Sequence, residues 1–349
     1  MTSYKNILVV RSDRVGDVVL TTPALAALRE AFPQATISVL ATSQTREIVE
    51  GNPHINEVIV DDRKGAQKGF GGFFHLVGLL RKKNFDLAVI FHTKKRTNLL
   101  CFLAGIPTRL GYRNNKFGFL LTKGVKDIRM EGNKHEAEYC LELLKHIGVE
   151  SNNLKLHVSL KRKSEDWARQ FIKDNNISDS NILIAVHPGA SCISKRWPAR
   201  RFAEVIDAIQ FPVVKIILVG TADNEKIAKE IRAAVQAPII DLTGLTSIGQ
   251  LASLLKRCRL LISNDSGPVH IAAAMGTPVI SIFGRNQAGL SPRRWGPLGQ
   301  NDVILHKEVG CEICLAHNCM IDFECLKAIK TQDVLDATKA ILKPVSPSS

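Results

Sequence analysis

The second half of the chain places three kinds of anion-binding or sugar-binding group in the segments that follow apolar runs. Lys195, Glu225 and the pair Ser266-Gly267 each follow a run of buried-strand composition. A lysine can neutralise a diphosphate, and the free N–H groups of a helix start bind phosphate. A carboxylate can accept hydrogen bonds from ribose hydroxyls. Each residue alone is ordinary, but together they predict a site for a nucleoside diphosphate.

The stretch Leu260–Gly284 has the pattern of a strand, a turn, a helix and a second strand. Pro268 suits the first turn of a helix, with Ser or Gly before it as the cap. Gly276 suits the left-handed position that ends the helix, which we expect over Val269–Met275. The start of this helix would present unpaired N–H groups at the end of a buried parallel strand.

A glycine and a carboxylate follow the first apolar run of the chain, Ile7–Val10. We expect Gly16 and Asp17 to lie in the loop between this strand and a helix over Leu20–Ala31. In an open parallel sheet, that loop lies at the edge where ligands bind. The loop does not contain GxGxxG, so the dinucleotide-binding fingerprint is missing.

Short β-branched runs alternate with helical patterns along the chain, which predicts an α/β fold with two doubly wound, Rossmann-like domains. The predicted strands are Ile7–Val10, Thr36–Ala41, Val58–Val60, Leu87–Phe91, Arg109–Tyr112, Ile182–Val186, Val214–Val219, Ile239–Asp241, Leu260–Ser263 and Val279–Phe283. The predicted helices are Leu20–Ala31, Gln44–Val49, Phe73–Lys82, Thr97–Ala104, His135–Ile147, Glu165–Asn175, Ala199–Ile209, Ile248–Lys256, Val269–Met275 and Thr331–Leu342. We expect a first domain over residues 1–158, a linker over Leu156–Ser164, a second domain over residues 165–330, and a carboxyl-terminal helix and tail over residues 331–349.

The composition is typical of a globular enzyme of two domains: 349 residues, 45% hydrophobic and 23% charged. No apolar run approaches the roughly 18 residues that cross a bilayer. The first residues, MTSYKNILVVRSD, reach a charge too soon for a signal peptide and predict a first strand, so we expect a cytoplasmic protein.

The net charge of +14 is concentrated in one part of the chain. Residues 61–130 contain 15 Lys and Arg against 4 Asp, a balance of +11. Such a concentration indicates an anionic partner, which could be nucleic acid, an acidic membrane surface or a phosphorylated substrate. A solvated basic face without a ligand is the other interpretation.

Four of the eight cysteines form the cluster Cys311, Cys314, Cys319 and Cys325. In a cytosolic protein such a cluster favours metal or free thiols over structural disulfides. The spacing is not that of a standard zinc finger. We therefore expect reduced thiols or an opportunistic disulfide, and a structural metal held by the cluster is the other interpretation.

Four motifs in order carry a resemblance to a known family. They are RSDRVGDVVLTTPAL from Arg11, HPGA with KRWP around Lys195, the loop ending at Glu225, and NDSGPVHIAAAMGTPVISIFG from Asn264. Together they resemble the ADP-heptose:lipopolysaccharide heptosyltransferases of glycosyltransferase family 9. Gly111-Tyr112, His135-Glu136 and the cysteine cluster extend the resemblance over essentially the whole chain.

The resemblance implies a GT-B fold, in which two Rossmann-like domains face each other across a cleft. The amino-terminal domain would bind the acceptor, and the carboxyl-terminal domain would bind the ADP-sugar donor without a required cofactor. The implied catalytic residues are Asp17 and Lys195. We assign to donor binding Gly16, His187, Ser191, Lys195, Glu225, Thr243, Asp265, Ser266, Gly267 and His270. We assign to acceptor binding Arg14, Lys94, Lys95, Arg96 and Arg113. The loop at Ser191–Ser194 departs from the family's pattern.

The implied reaction moves L-glycero-D-manno-heptose, with inversion, from ADP-heptose to the Kdo or heptose inner core of lipopolysaccharide. Asp17 would take a proton from the acceptor hydroxyl, and Lys195 with the start of the helix after Ser266 would stabilise the departing ADP. The basic residues 61–130 would orient the anionic lipid A–Kdo acceptor at the inner face of the inner membrane.

Three other functions stay open on the residues alone. A different sugar nucleotide could be the donor, and a nucleotide-dependent oxidoreductase could use two Rossmann-like halves, although GxGxxG is absent. A non-enzymatic protein could bind a polyanion such as nucleic acid through residues 61–130. Against this last reading, Phe70, Phe73 and Phe74 fall within one predicted helix and are not interleaved with the basic residues as in stacking proteins.

Overall fold

The chain divides into two units, residues 1–159 and residues 160–349, each with its own parallel sheet. The computed structural model describes residues 3–209 and 213–343. The end of the predicted tail, residues 344–349, lies outside the described residues.

The first unit is built on six parallel strands in the order β3-β2-β1-β4-β5-β6. The strands are β1 (Asn6–Val10), β2 (Thr36–Ala41), β3 (Glu57–Val60), β4 (Leu87–Ile90), β5 (Thr108–Arg113) and β6 (Lys123–Lys126). The helices are α1 (Val15–Val19), α2 (Thr22–Ala31), α3 (Arg46–Val49), α4 (Gly69–Lys82), α5 (Lys95–Leu103) and α6 (Glu136–Lys145), with 3₁₀ turns at Gly118–Leu120 and Arg129–Glu131.

The second unit repeats this arrangement with the order β12-β11-β10-β7-β8-β9. The strands are β7 (Ile182–His187), β8 (Val214–Leu218), β9 (Ile239–Asp241), β10 (Leu260–Asn264), β11 (Val279–Ile282) and β12 (Val303–Leu305). The helices are α7 (Arg162–Asp174), α8 (Ala199–Ala208), α9 (Glu225–Ala234), α10 (Ile248–Leu255), α11 (Gly267–Met275), α12 (Pro292–Trp295), α13 (Glu324–Ala328) and α14 (Thr331–Leu342), with 3₁₀ turns at Ile193–Lys195, Ala222–Asn224, Ala288–Leu290 and Ala316–Asn318.

Both sheets have the strand order of a Rossmann fold, so the predicted α/β class with two Rossmann-like domains is confirmed. The order reverses next to the first strand of each unit, between β1 and β4 and between β7 and β10. Connections on either side of such a point run to opposite faces of the sheet. The loops that follow these two strand pairs are therefore where a Rossmann fold binds its ligands.

The central strands are apolar because they are buried on both faces. Residues Ile7–Val10, Leu87–Ile90 and Leu260–Asn264 are all fully buried. In the second unit, Trp197 packs edge-on against Phe202 under the sheet and donates its indole N–H to Ile329 O at 3.0 Å. Burial of a Trp with its N–H satisfied fixes the loop that precedes it.

Several local predictions differ from the structure. Gly16 and Asp17 lie in the short helix α1, not in a loop, because the chain turns helical immediately after Arg14. Helix α7 begins at Arg162, inside the predicted linker. Strands β6 (a charged segment) and β12 were not predicted.

The end of α11 agrees with the prediction, because Gly276 caps it with φ +78°. Within residues 3–209 and 213–343, none of the helices is both long enough and apolar enough to cross a membrane.

Candidate active site

The reversal point of the second sheet brings the loop after β7 beside the loop after β10. Asn264, the last residue of β10, joins them, because its side chain donates to Pro188 O at 2.7 Å and accepts from Trp197 N at 3.1 Å. Buried side-chain amides bonded to backbone groups hold loops in one conformation. Lys195, two residues before the buried Trp197, is therefore held close to the start of α11.

Two cations share one buried carboxylate at this edge. Lys195 Nζ lies 2.7 Å from Asp265 Oδ2, and Arg285 Nη2 lies 2.9 Å from the same oxygen. Lys195 Nζ also lies 3.3 Å from Asp265 O. Burial, opposed by Asp265 and reinforced by Arg285, lowers the pKa of Lys195. With both cations charged, the three side chains carry one net positive charge, which favours an anionic ligand.

The start of α11 lies beside this cluster without a side-chain cap. Ser266 occupies the N-cap position, but its hydroxyl bonds His187 Nδ1 at 3.0 Å and Ser263 Oγ at 3.0 Å. Burial lowers the pKa of His187 to about 4, so the ring is neutral at pH 7. The serine therefore orients the histidine, and the Gly267 N–H has no acceptor within the helix. An anion can occupy this position.

The remaining residues predicted to bind the donor have different surroundings. Glu225 begins α9 and pairs with Arg232 at 2.9 Å, and it is half-exposed. Thr243 is buried, and its N–H donates to Asp241 Oδ1 at 2.8 Å. Ser191 is exposed, and His270 is buried within α11. The structure brings together His187, Lys195, Asp265, Ser266 and Gly267, and it leaves Ser191 at the surface.

Asp17 belongs to a second charged cluster, at the reversal point of the first sheet. The buried Arg11 donates through Nη2 to Asp17 Oδ1 at 2.6 Å and to Glu136 Oε1 at 3.1 Å, and its Nε lies 3.0 Å from Asp13 Oδ1. Three carboxylates thus surround one guanidinium. Arg129 adds a more distant cation, 3.7 Å from Glu136. Like charges at this separation disfavour full ionisation of the cluster.

The environment of Asp17 suits a proton acceptor. Burial raises the pKa of Asp17 to about 6, with Asp13 and Glu136 adding to the shift and Arg11 opposing it. Its side chain is 15% exposed, so it is reachable from solvent. Within the described part of the chain, no residue donates a hydrogen bond to the second oxygen, Oδ2. A carboxylate with one oriented oxygen, one open oxygen and a pKa near neutrality fits a general base.

His92 follows β4 and lies at the same reversal point. Burial, with the nearby charges of Arg11 and Lys94, lowers the pKa of His92 to about 3, while Asp17 opposes the shift. The ring is therefore neutral at physiological pH. Its Nδ1 is buried and has no hydrogen-bond partner among the described residues. Sequence reasoning did not assign His92 a role.

The predicted acceptor-binding cations fall into two groups. Arg14, Lys94, Lys95 and Arg113 are exposed, and Lys95 Nζ lies 5.7 Å from the ring centre of Phe117. Arg96 instead pairs with the buried Asp61 at 2.7 Å, and Arg63 lies 2.7 Å from the same carboxylate. Two arginines account for the lowered pKa of Asp61, against the opposing effect of burial.

The four clustered cysteines are free thiols. In the described ranges, no group of three or more His, Cys, Asp or Glu side chains has the geometry to hold a metal ion. The segment packs on the loop after β11, since Cys325 Sγ donates to Gly284 O at 2.6 Å and Asn286 N donates to Cys314 Sγ at 3.5 Å.

Sequence reasoning missed Arg285 and the role of Arg11. Arg285 comes three residues after β11, and β11 is the neighbour of β10 in the sheet. The loops at the carboxyl ends of parallel strands lie close together, and Gly284-Arg285 belongs to such a loop. Counting it with the other loops of this edge could have identified Arg285. Arg11 directly follows the first buried strand and is itself buried, and a buried cation needs a counter-ion.

Comparisons with known proteins identify the family and the fold. The sequence model of glycosyltransferase family 9 (heptosyltransferase) matches residues 74–323. Lipopolysaccharide heptosyltransferase 3 of Escherichia coli (strain K12) is 27% identical, with 96% of this chain and 97% of that protein covered. Family 9 glycosyltransferase from Veillonella parvula DSM 2008 superposes with a TM-score of 0.89 at 28% identity, covering 98% of each chain. The ADP-heptose lipopolysaccharide heptosyltransferase II of E. coli superposes with a TM-score of 0.78 at 25% identity, covering 97% of this chain and 98% of that one. These likenesses confirm the predicted GT-B fold class.

Proposed function

We propose, because the chain belongs to glycosyltransferase family 9 (heptosyltransferase), that it moves L-glycero-D-manno-heptose from ADP-heptose to the Kdo or heptose inner core of lipopolysaccharide. The relatives named heptosyltransferases support both the donor and the class of acceptor. The transfer inverts the anomeric centre, and the protein works at the cytoplasmic face of the inner membrane. It requires no cofactor.

The observation that carries this proposal is the opposite charge of the two reversal points. The second unit's cluster of Lys195, Arg285 and Asp265 has surplus positive charge beside an uncapped helix start. The first unit's cluster around Arg11 has surplus carboxylates, including Asp17. Glycosyl transfer from a nucleotide sugar needs both, since a base activates the acceptor and cations stabilise the leaving diphosphate.

On this proposal the ADP-heptose donor lies on the second unit. Lys195 and the Gly267 N–H bind the diphosphate, and Glu225 accepts from the ribose hydroxyls. The set assigned to donor binding is completed by Gly16, His187, Ser191, Thr243, Asp265, Ser266 and His270. As the glycosidic bond to the diphosphate breaks, negative charge grows on the departing ADP. A fixed cation and a helix start then stabilise the transition state more than the ground state.

The acceptor lies on the first unit, with Asp17 as the general base. Its open oxygen takes the proton of the acceptor hydroxyl, and the resulting oxygen attacks the anomeric carbon from the side opposite the diphosphate. Arg11 holds the other oxygen and fixes the carboxylate. Arg14, Lys94, Lys95 and Arg113 bind the carboxylates and phosphates of the acceptor, while Arg96 positions Asp61.

The membrane contact is supported by a surface of exposed aromatic and basic side chains on the first unit. Phe70 (87% exposed) and Phe74 (57%) lie one turn apart on α4, and Phe119 (78%) follows β5. A series of ring and cation contacts connects these side chains. The ring of Phe74 lies 5.6 Å from that of Phe73, which lies 4.9 Å from the guanidinium of Arg96. The neighbouring residue, Lys95, lies 5.7 Å from the ring of Phe117, which lies 5.8 Å from that of Phe119. Apolar side chains within a basic surface favour an anionic bilayer.

Flotation with vesicles tests this contact. We expect the protein to float with vesicles rich in phosphatidylglycerol and not with phosphatidylcholine vesicles. The double variant Phe70→Ser, Phe74→Ser should lose flotation. Met320→Ser is the matched control, because Met320 is 86% exposed but lies near Asp322 and Glu324. Equal flotation of the double variant and the wild type, or binding of nucleic acid in place of vesicles, would contradict the membrane assignment.

A ligand panel followed by a transfer assay tests the whole proposal. ADP should raise the melting temperature, because a ligand at 100 times its Kd adds about 2.7 kcal/mol of stability. UDP, GDP and NAD should leave the melting temperature unchanged. ADP-heptose should then be consumed only when truncated lipopolysaccharide is present. Stabilisation by UDP or GDP would indicate that another sugar nucleotide is the donor, and stabilisation by NAD would favour an oxidoreductase.

A further inference from the structure

Arg285 has an arrangement that the proposed reaction does not yet explain. Its guanidinium is almost completely buried and bonds Asp265 Oδ2 through Nη2 at 2.9 Å. Its Nε is also buried and has no hydrogen-bond partner within residues 3–209 and 213–343. An arginine buried this deeply is costly to desolvate, so its one carboxylate partner must account for its presence.

That carboxylate already has a second cation. Lys195 Nζ lies 2.7 Å from the same oxygen of Asp265. In this arrangement Lys195 is engaged in an ion pair, and a diphosphate can bind its ammonium group only by competing with Asp265. If Lys195 were the sole partner, moving it to the ligand would leave a buried, unpaired carboxylate beside a diphosphate of the same sign. Such a charge is strongly unfavourable.

We propose that Arg285 is a positioning residue that keeps Asp265 neutralised while Lys195 turns to the donor diphosphate. This inference rests on the proposed function, because it concerns the site assigned to ADP-heptose. Arg285 acts through Asp265 and does not itself contact the ligand. The positive charge of Arg285 also repels the Lys195 ammonium group on Asp265 Oδ2, and the same repulsion helps to lower the pKa of Lys195. Arg285 therefore lowers the cost of releasing the lysine.

The test measures the dissociation constants of ADP and adenosine by calorimetry. Arg285→Met should weaken ADP binding at least about tenfold, since Asp265 is then unpaired whenever Lys195 leaves it. Adenosine, which has no phosphate, should bind both proteins equally. Arg285→Lys should recover most of the ADP affinity. Arg257→Met is the matched control, because it removes an arginine paired at 2.7 Å to Glu165 elsewhere in the same unit.

A second-site substitution separates action through Asp265 from direct contact with phosphate. In an Asp265→Asn background there is no carboxylate to neutralise, so adding Arg285→Met removes only the long-range attraction of one cation. It should weaken ADP binding several-fold less than Arg285→Met does in the wild-type background. An equal loss in both backgrounds would show that Arg285 touches the phosphates and would overturn the inference. If Arg285→Met does not fold, the double variant, which removes both charges, still supplies this comparison with Asp265→Asn alone.

The outcomes also distinguish this inference from the proposed function. A wild-type protein that does not bind ADP overturns both. A wild-type protein that binds ADP, together with an Arg285→Met variant of unchanged ADP affinity, overturns the inference alone.

Discussion

Replacement of Asp17 by Asn should have opposite effects on activity and on stability. The substitution removes the proton acceptor but keeps the size and shape of the side chain. Loss of a general base lowers turnover by about 10²- to 10⁴-fold. ADP binding should not change, because Lys195, Glu225 and Gly267, which we propose to contact ADP, lie in the other unit.

The stability effect follows from the pKa of Asp17. Burial raises that pKa from 3.8 to about 6, a shift of about two units, which corresponds to roughly 3 kcal/mol. Because the folded-state pKa is the higher one, the protonated form is favoured by folding. That stability is fully present below pH 3.8 and is lost as the pH rises through 6. At pH 8, Asp17→Asn should therefore raise the free energy of unfolding by up to about 3 kcal/mol, and near pH 4 by much less.

The pH dependence of the wild type provides an independent measurement. As the pH falls from 7 to 5, the ionised fraction of a group with a pKa of about 6 falls from about nine-tenths to about one-tenth. ADP release from ADP-heptose should therefore show kcat/KM falling about tenfold over this range. Asp13→Asn is a matched control in the same cluster. Since Asp13 raises the pKa of Asp17, this variant should keep the plateau rate and shift the acid limb to lower pH.

Two results would refute this reasoning about Asp17. One is an Asp17→Asn variant whose turnover stays within about threefold of the wild type, far less than loss of a general base costs. The other is an acid limb that persists unchanged in the residual activity of that variant, because the titrating group would then be elsewhere.

Four other predictions concern the remaining charged groups and the cysteine cluster. Lys195→Ala should weaken ADP binding about 10- to 100-fold by calorimetry, because a charged hydrogen bond is lost. Unchanged affinity would show that the diphosphate does not bind Lys195. Charge reversal of Lys94 and Lys95 should raise the acceptor KM more than the donor KM, and the opposite result would reverse the assignment of the two units. Burial lowers the pKa of His187 from 6.5 to about 4, so the contribution of His187 to stability should fall by roughly 3 kcal/mol as the pH drops from 6.5 to 4. Chemical denaturation should therefore show that His187→Gln loses less stability than the wild type over this range. Metal analysis of the purified protein should find no stoichiometric zinc, and one zinc per chain would contradict the assignment of free thiols.

Much of the fold could be predicted because the central strands are buried on both faces. Runs such as Ile7–Val10 and Leu260–Ser263 have no polar interruption, and the turn residues around them are distinctive. Strand β6 (Lys123–Lys126) was missed because an edge strand with two lysines has no apolar pattern, and its pairing depends on β5. Helix α1 was missed because its five residues include a glycine and depend on the surrounding structure.

The site was predictable in its residue types but not in its pairings. The loops containing Lys195 and Asp265 could be assigned to one sheet edge from the alternation of strands and helices. Arg285 and Lys195 share one carboxylate oxygen although they are 90 residues apart in the chain. No local sequence pattern predicts such a pairing. The same holds for Arg11 and Glu136, which are separated by 125 residues.

Each parallel sheet is formed by an uninterrupted stretch of chain, with all six strands of the first sheet before residue 127. This continuity has a consequence for synthesis on the ribosome. The first strand, β1, is central and must wait for β4 before both of its edges are paired, but it needs nothing from beyond residue 159. The amino-terminal unit can therefore complete its hydrophobic core while the rest of the chain is still being translated. Its buried strands, which would otherwise aggregate, are protected before the strands of the second sheet emerge.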